Sequence, residues 1–445
     1  MLDSGMHPKN TGDDALPNLK AIADREIKAI LISHAHQDHI GTLPLLMRRF
    51  PAARVFITEA TAEIGSVLLH NSVNVMTRQR EEIGEMSYPL FTHRETDRAS
   101  ERWRWCPLRQ RISITGERAP QRERGLLTFE FFEAGHVLGS TGILLRAEGK
   151  SVFYTGDVNF DDQTIMQAAV FPEEKIDVLI MECTRGDHAK PSGWTRPGEQ
   201  RRFAEALERA FDRGAGVLIP VFALGKTQEM LALLYKLRRA SRKISGEFPI
   251  YIGGLSSKMT DIYDRRAHMA RRQLPRLQLM REAAPFILND ETIRDTPLRA
   301  GRAYVLSSGM MIPNTLSNIF ARRLIEMPEH AIDHQNVVER RVDRTEKCSA
   351  VAASVGVRQR VGHTIDVVVL PAVIARHALH IANVDHGRVR SGHDRRSCIL
   401  RPLIVTPRWR PWPFRQSRRT PRARGSQDRT APCGQRPGPP CRGHR

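Results

Sequence analysis

The chain has 445 residues and a formal net charge of +20, a length that accommodates two compact units. No run approaches the roughly 18 apolar residues that cross a bilayer, and the start MLDSGMHPKN has no signal-peptide pattern, so a cytoplasmic protein without membrane contact is expected. Six cysteines without a CxxC pair exclude a disulfide framework and a cysteine zinc knuckle. The positive charge is uneven: residues 331–445 carry roughly +15 of it, nearly all from arginine, with Lys347 the only lysine. The excess therefore says little about the main body.

From Ala29 to Leu306, apolar or β-branched runs alternate with amphipathic segments, the pattern of an α/β protein. Strands are predicted at AILIS, RVFIT, LTFEFFEAG, SVFYTGD, DVLIMEC, GVLIPVF, PIYIGG and AYVLSSG. Helices are predicted at PGEQRRFAEALERAFDRG and GKTQEMLALLYKLRRAS, where apolar residues recur at spacings of three and four. Thr92 to Arg124 is charged and lacks a sustained period, so an exposed excursion is expected there. Beyond about His330 patterning weakens, and from Arg401 arginine, proline and glycine dominate, as in disordered segments.

The first strand runs directly into HAHQDH, which holds His34, His36, Asp38 and His39. On an extended segment His34 and His36 point the same way. Asp38 and His39 follow on the turn and can face a second point nearby. That arrangement suits two metal ions, and imidazole with carboxylate is a ligand set appropriate to zinc. Ile40, Leu43, Leu46 and Met47 then fall at helical spacing, with Pro44 in the first turn where proline is tolerated.

HAHQDH matches the HxHxDH signature of the metallo-β-lactamase superfamily, and the chain is similar to that family at further points. LDSG offers Asp3 for outer-shell support of the site, AGHVLGS offers His136, and VFYTGD offers Asp157. The resemblance implies an αββα sandwich of two mixed sheets. It also implies that His34, His36 and His136 hold one zinc, Asp38 and His39 the other, and Asp157 both. The implied reaction is hydrolysis by a hydroxide activated between two zinc ions.

After Asp157 the chain continues through DVLIMECTRGDH, GVLIPVFALGKTQEML, PIYIGGLSSKMTDIYD and RAYVLSSGMMIPNTLSNIFARRL. These segments resemble the β-CASP branch, in which a second α/β domain is inserted as a lid and the substrate is nucleic acid. The implied organisation is a metallo-β-lactamase domain over residues 1–190, a β-CASP domain over 191–330 and an atypical tail over 331–445. The implied function is endonucleolytic or 5′-exonucleolytic cleavage of RNA, single-stranded because the groove would exclude a stacked duplex. A homo-oligomer is compatible with it. Asp38 and Glu182 are the expected catalytic carboxylates, with Glu182 at a strand end supporting a catalytic histidine. Lys226, at a helix start, and Ser307 and Ser308, in a strand-to-turn segment, are expected at phosphate; a plain helix cap and a plain turn are the other readings of those positions.

The branch also has an SxH histidine and a later HG histidine after its insert, and the two do not occur here in that order. None of His334, His363, His377, His380, His386, His393 and His444 is assigned. The second zinc site is then incomplete, and opening strands of the fold are also expected to be missing. Two accounts of the tail stand: out-of-frame translation beginning near Ile332, or a basic disordered tether for RNA phosphates. A catalytically impaired RNA-binding protein and a small-molecule hydrolase of the same fold are the alternatives to the nuclease.

Overall fold

Where apolar runs are short and β-branched, strands form. The computed structural model describes residues 1–325, apart from 9, 121–124, 185, 187–189, 241–247 and 289–291. The expected Arg-rich tail over 331–445 and its unassigned histidines lie outside the described residues.

A first sheet is parallel throughout, in the order β1 (Ala29–Leu31), β2 (Arg54–Ile57), β3 (Trp103–Trp105). A second has the order β4 (Ile112–Ser113), β5 (Thr128–Glu133), β6 (Thr141–Ala147), β7 (Lys150–Tyr154), β8 (Val178–Ile180). It is antiparallel from β4 to β7, with β8 added in parallel. Side chains alternate between faces along a strand. Phe129 and Phe131 of β5 accordingly turn to one side and pack with Leu31 and Phe56, which joins the two sheets face to face. The other face of the first sheet carries Ile30, Val55 and Ile57 against Leu43, Leu46 and Leu69 from helices Leu43–Arg49 and Glu59–Ile83. The result is a helix–sheet–sheet stack, and the fold is the expected mixed α/β class.

The expected excursion at Thr92 to Arg124 is corrected by the structure. Thr92 caps the helix His93–Ser100 through a reciprocal capping box with Glu95, which satisfies two orphan backbone donors without any apolar period. Trp103 then enters the core from β3, and Cys106 and Ile112 are buried between the sheets. Charge hid these elements because they bury single residues.

A third sheet is parallel throughout, in the order β11 (Phe286–Leu288), β10 (Ile250–Gly253), β12 (Ala303–Leu306), β9 (Val217–Pro220). Its central strands are buried on both faces, as parallel sheets require. Val217, Ile219, Ile250, Ile252 and Val305 pack on helices Arg196–Asp212, Lys226–Ala240 and Gly254–Arg265. Leu218, Tyr251, Tyr304 and Leu306 pack with Phe320 and Leu324 of helix Leu316–Ile325. The first of these cores also includes Ala35, Val137, Leu138 and Ile165 from the residues around the histidine motifs. Burial is thus continuous from the third sheet to the site.

The run DVLIMEC forms the expected strand, β8. Its Val178, Leu179 and Ile180 stand 50%, 56% and 45% exposed at the edge of the second sheet.

Candidate metal centre

HAHQDH leaves β1 extended and turns at His36, which precedes the short helix Gln37–Ile40. His34 is fully buried, and its Nε2 lies 3.0 Å from Nδ1 of His36. His136 approaches from a second turn, its Nε2 3.1 Å from the same His36 nitrogen. Asp157 follows β7, with Oδ2 3.8 Å from His34 Nε2 and 3.6 Å from His136 Nε2. One donor atom from each of His34, His36, His136 and Asp157 lies within 4.8 Å of the others, so this set could hold a metal ion. Three imidazoles and a carboxylate are donors for a borderline divalent ion.

The turn bearing His136 is gripped from several sides. The backbone N–H groups of His136 and Val137 donate to Ser140 Oγ, and Gln163 donates to the carbonyls of Gly135 and His136. Gly139 adopts φ +81°, and a Cβ there would sit 2.7 Å from the Thr61 backbone nitrogen, so the close approach and the left-handed backbone both require glycine.

His39 and Asp38 border the same carboxylate. His39 Nε2 is 3.2 Å from Asp157 Oδ1 and 3.9 Å from Asp38 Oδ2. Asp38 is half exposed, on the open side. Asp3, in the left-handed region at φ 55°, holds His39 from behind. Its Oδ2 lies 2.7 Å from His39 Nδ1 and accepts hydrogen bonds from the hydroxyls of Ser33 and Tyr154, while Oδ1 accepts from the Ser33 N–H. The carboxylate thus orients a ring rather than facing the cluster, the usual task of an outer partner. Ser33 and Tyr154 had no local sequence signal, because what recruits them is their distance from Asp3 in space.

The electrostatics divide the histidines. Burial pushes His34 and His136 well below the usual imidazole range, and the neighbouring histidines push the same way. Burial also opposes charge on His39, but hydrogen bonds to Asp157 and Asp3 outweigh it and raise His39 to about 10. Asp157 is lowered to about 2, against burial, by the His39 hydrogen bond and the surrounding imidazoles. Without metal, one imidazolium facing one carboxylate holds this edge of the cluster.

The third sheet meets the site at the carboxyl ends of its strands, where α/β sheets bind ligands. Beyond β9, the backbone of Leu224 hydrogen-bonds to His36. Gly225 adopts φ +81° with Val137 only 2.5 Å from where a Cβ would be. Lys226 begins its helix there and acts on His136 as a nearby positive charge. Glu182 accepts from the Val158 N–H at 2.8 Å and from the Thr184 hydroxyl, which fixes the turn just past Asp157. Ser307 and Ser308 close the end of β12, their carbonyls accepting from the N–H and hydroxyl of Ser317.

Residues 1–211 match the metallo-beta-lactamase superfamily. The chain is 32% identical over 265 residues to the cleavage and polyadenylation specificity factor 73 of Drosophila melanogaster, covering 59% of this chain and 36% of that one. It is 27% identical over 325 residues to the endoribonuclease YSH1 of Eremothecium gossypii, covering 71% and 40%. To an RNase J-like protein of Methanocaldococcus jannaschii it is 29% identical over 265 residues, covering 59% and 54%. The aligned part spans between about a third and a half of these relatives' length. With the histidine and aspartate motifs converging there, residues 1–211 are a metallo-β-lactamase domain, in a chain similar to relatives named as RNA-processing nucleases.

Proposed function

We propose that this chain hydrolyses phosphodiester bonds in single-stranded RNA with two zinc ions. The observation that carries the reading is the convergence of His34, His36, His136 and Asp157 within 4.8 Å. In this reading those three histidines hold one zinc, Asp38 and His39 hold the other, and Asp157 serves both. When bound there, zinc would supply an activated water near neutral pH and polarisation of the scissile phosphate. The chain's own residues supply the order: Asp3 fixes the ring of His39, the Leu224 backbone fixes that of His36, and Glu182 fixes the turn beyond Asp157. Lys226, Ser307 and Ser308 stand at the carboxyl ends of the third sheet, where in this reading a β-CASP domain would serve as a lid and a strand's phosphates would pass. Relatives named as endoribonucleases support the reaction class.

A second reading is an RNA-binding chain with impaired catalysis. It is favoured by the second donor set, which among the described residues comprises only Asp38, His39 and the shared Asp157. The full chain incubated with a labelled single-stranded RNA decides between them. Cleavage that EDTA stops and His36→Ala abolishes supports the hydrolase; RNA bound but left intact by the zinc-loaded chain supports the second reading.

A further inference from the structure

Away from the metal centre, His70 and His93 face each other across two helices. His70 lies on Glu59–Ile83 and His93 opens His93–Ser100. Their Nδ1 atoms are 2.8 Å apart. The ring centres are 5.1 Å apart and the planes 14° from parallel. The centre separation exceeds the nitrogen separation by about two ring radii, so each Nδ1 points along the line to the other ring.

The outer nitrogens are both committed. His70 Nε2 is 3.1 Å from Asp97 Oδ1, and His93 Nε2 is 3.1 Å from Asn74 Oδ1. Carboxylate and amide oxygens only accept hydrogen bonds, so both Nε2 atoms carry the hydrogen. A neutral imidazole has one N–H, which leaves both Nδ1 atoms as bare lone pairs directed at each other. Two lone pairs at 2.8 Å repel unless a cation lies between them. Metal-binding histidines show the same surroundings, donating the outer N–H to a carboxylate or carbonyl that orients the ring.

We propose that His70 and His93 form a separate site for one borderline divalent transition ion of the zinc class, with Asp97 and Asn74 as the orienting partners and water completing the shell. Imidazole nitrogen selects such ions over magnesium or calcium. An ion about 2.0–2.1 Å from each nitrogen requires the rings to part slightly and tilt until the lone pairs converge. His93 is exposed and His70 partly so, and the movement meets no packed core. The ion would staple the long helix to the short one that follows the loop 84–92. This inference does not depend on the proposed RNA hydrolysis.

The test uses the full chain stripped with chelator, then titrated with zinc sulfate and counted by equilibrium dialysis. His70→Ala and His93→Ala are each expected to bind one zinc fewer per chain than the parent, with an unchanged melting temperature before zinc is added. Asp97→Asn is expected to weaken that zinc about 10- to 100-fold. His36→Ala must keep it, which separates this site from the buried cluster. If His70→Ala fails to fold, His93→Gln at the exposed helix start carries the same test. Equal zinc stoichiometry in the parent and both histidine variants would mean that a proton alone lies between the rings, and would overturn the proposal.

Discussion

Asp3 Oδ2 lies 2.7 Å from Nδ1 of His39 while accepting hydrogen bonds from Ser33 and Tyr154. One buried carboxylate thereby ties the start of the chain, the HAHQDH turn and the end of β7. Asp3→Asn retains the shape and removes the charge that holds the His39 ring. Zinc affinity, measured by chelator competition, is expected to fall about 10- to 100-fold. Unchanged affinity would mean that packing alone orients His39.

The imidazolium of His39 gives the metal-free protein a pH signature. Its folded pKa, raised to about 10 by Asp157 and Asp3 against burial, exceeds the unfolded value of about 6.5. A raised pKa contributes stability that is complete below about pH 6.5 and is lost as pH climbs through about 10. The melting advantage of the chelated parent over His39→Gln should therefore shrink across that window. Zinc binding at pH 8 should also release a proton that the His39→Gln variant does not release, read from calorimetry in buffers of different ionisation enthalpy. A stability difference that stays flat from pH 6.5 to 10 would contradict the assignment.

Glu229 on the helix Lys226–Ala240 is buried, accepts the backbone N–H groups of Thr164 and Ile165 and pairs with Arg196. Removing one member of such a network leaves buried groups without their partner. Glu229→Ala is expected to cost about 3 kcal/mol in urea denaturation. A loss below about 0.5 kcal/mol, the size typical of a surface change, would show that these groups find water instead.

Phe222 stands 44% exposed between β9 and the Leu224 backbone that bonds His36, with Gly309 against it. In the proposed reading, this exposed ring offers a stacking face for a base. Phe222→Ala should weaken single-stranded RNA binding by about 1–3 kcal/mol in fluorescence anisotropy, with thermal stability little changed. Equal affinity for RNA would place the strand elsewhere.

Much of the molecule was legible in the sequence where local pattern carried it. All eight predicted strands occur, since a run such as VFYTGD needs only alternation and a glycine stop to be read. The strands that escaped notice, β3, β4, β6 and β11, are short, charged or cut by glycine, and they exist because a neighbouring strand offers hydrogen bonds. Trp103 shows why: a single buried indole secures a strand whose next two residues are exposed.

The site divides in the same way. Residue type and spacing marked His34, His36, Asp38 and His39 as ligand candidates, the family resemblance added His136, Asp157 and Asp3, and the fold brings these side chains together. Roles that depend on who stands nearby had no such signal. That Tyr154 and Ser33 hold Asp3, that Leu224 bonds His36 from the third sheet, and that His70 meets His93 across two helices are matters of distance between separately folded segments. Spacing along the chain determines which atoms can bind; only packing decides which atoms they face, because hydrogen bonds and ion pairs act over a few ångströms of space and take no account of sequence separation.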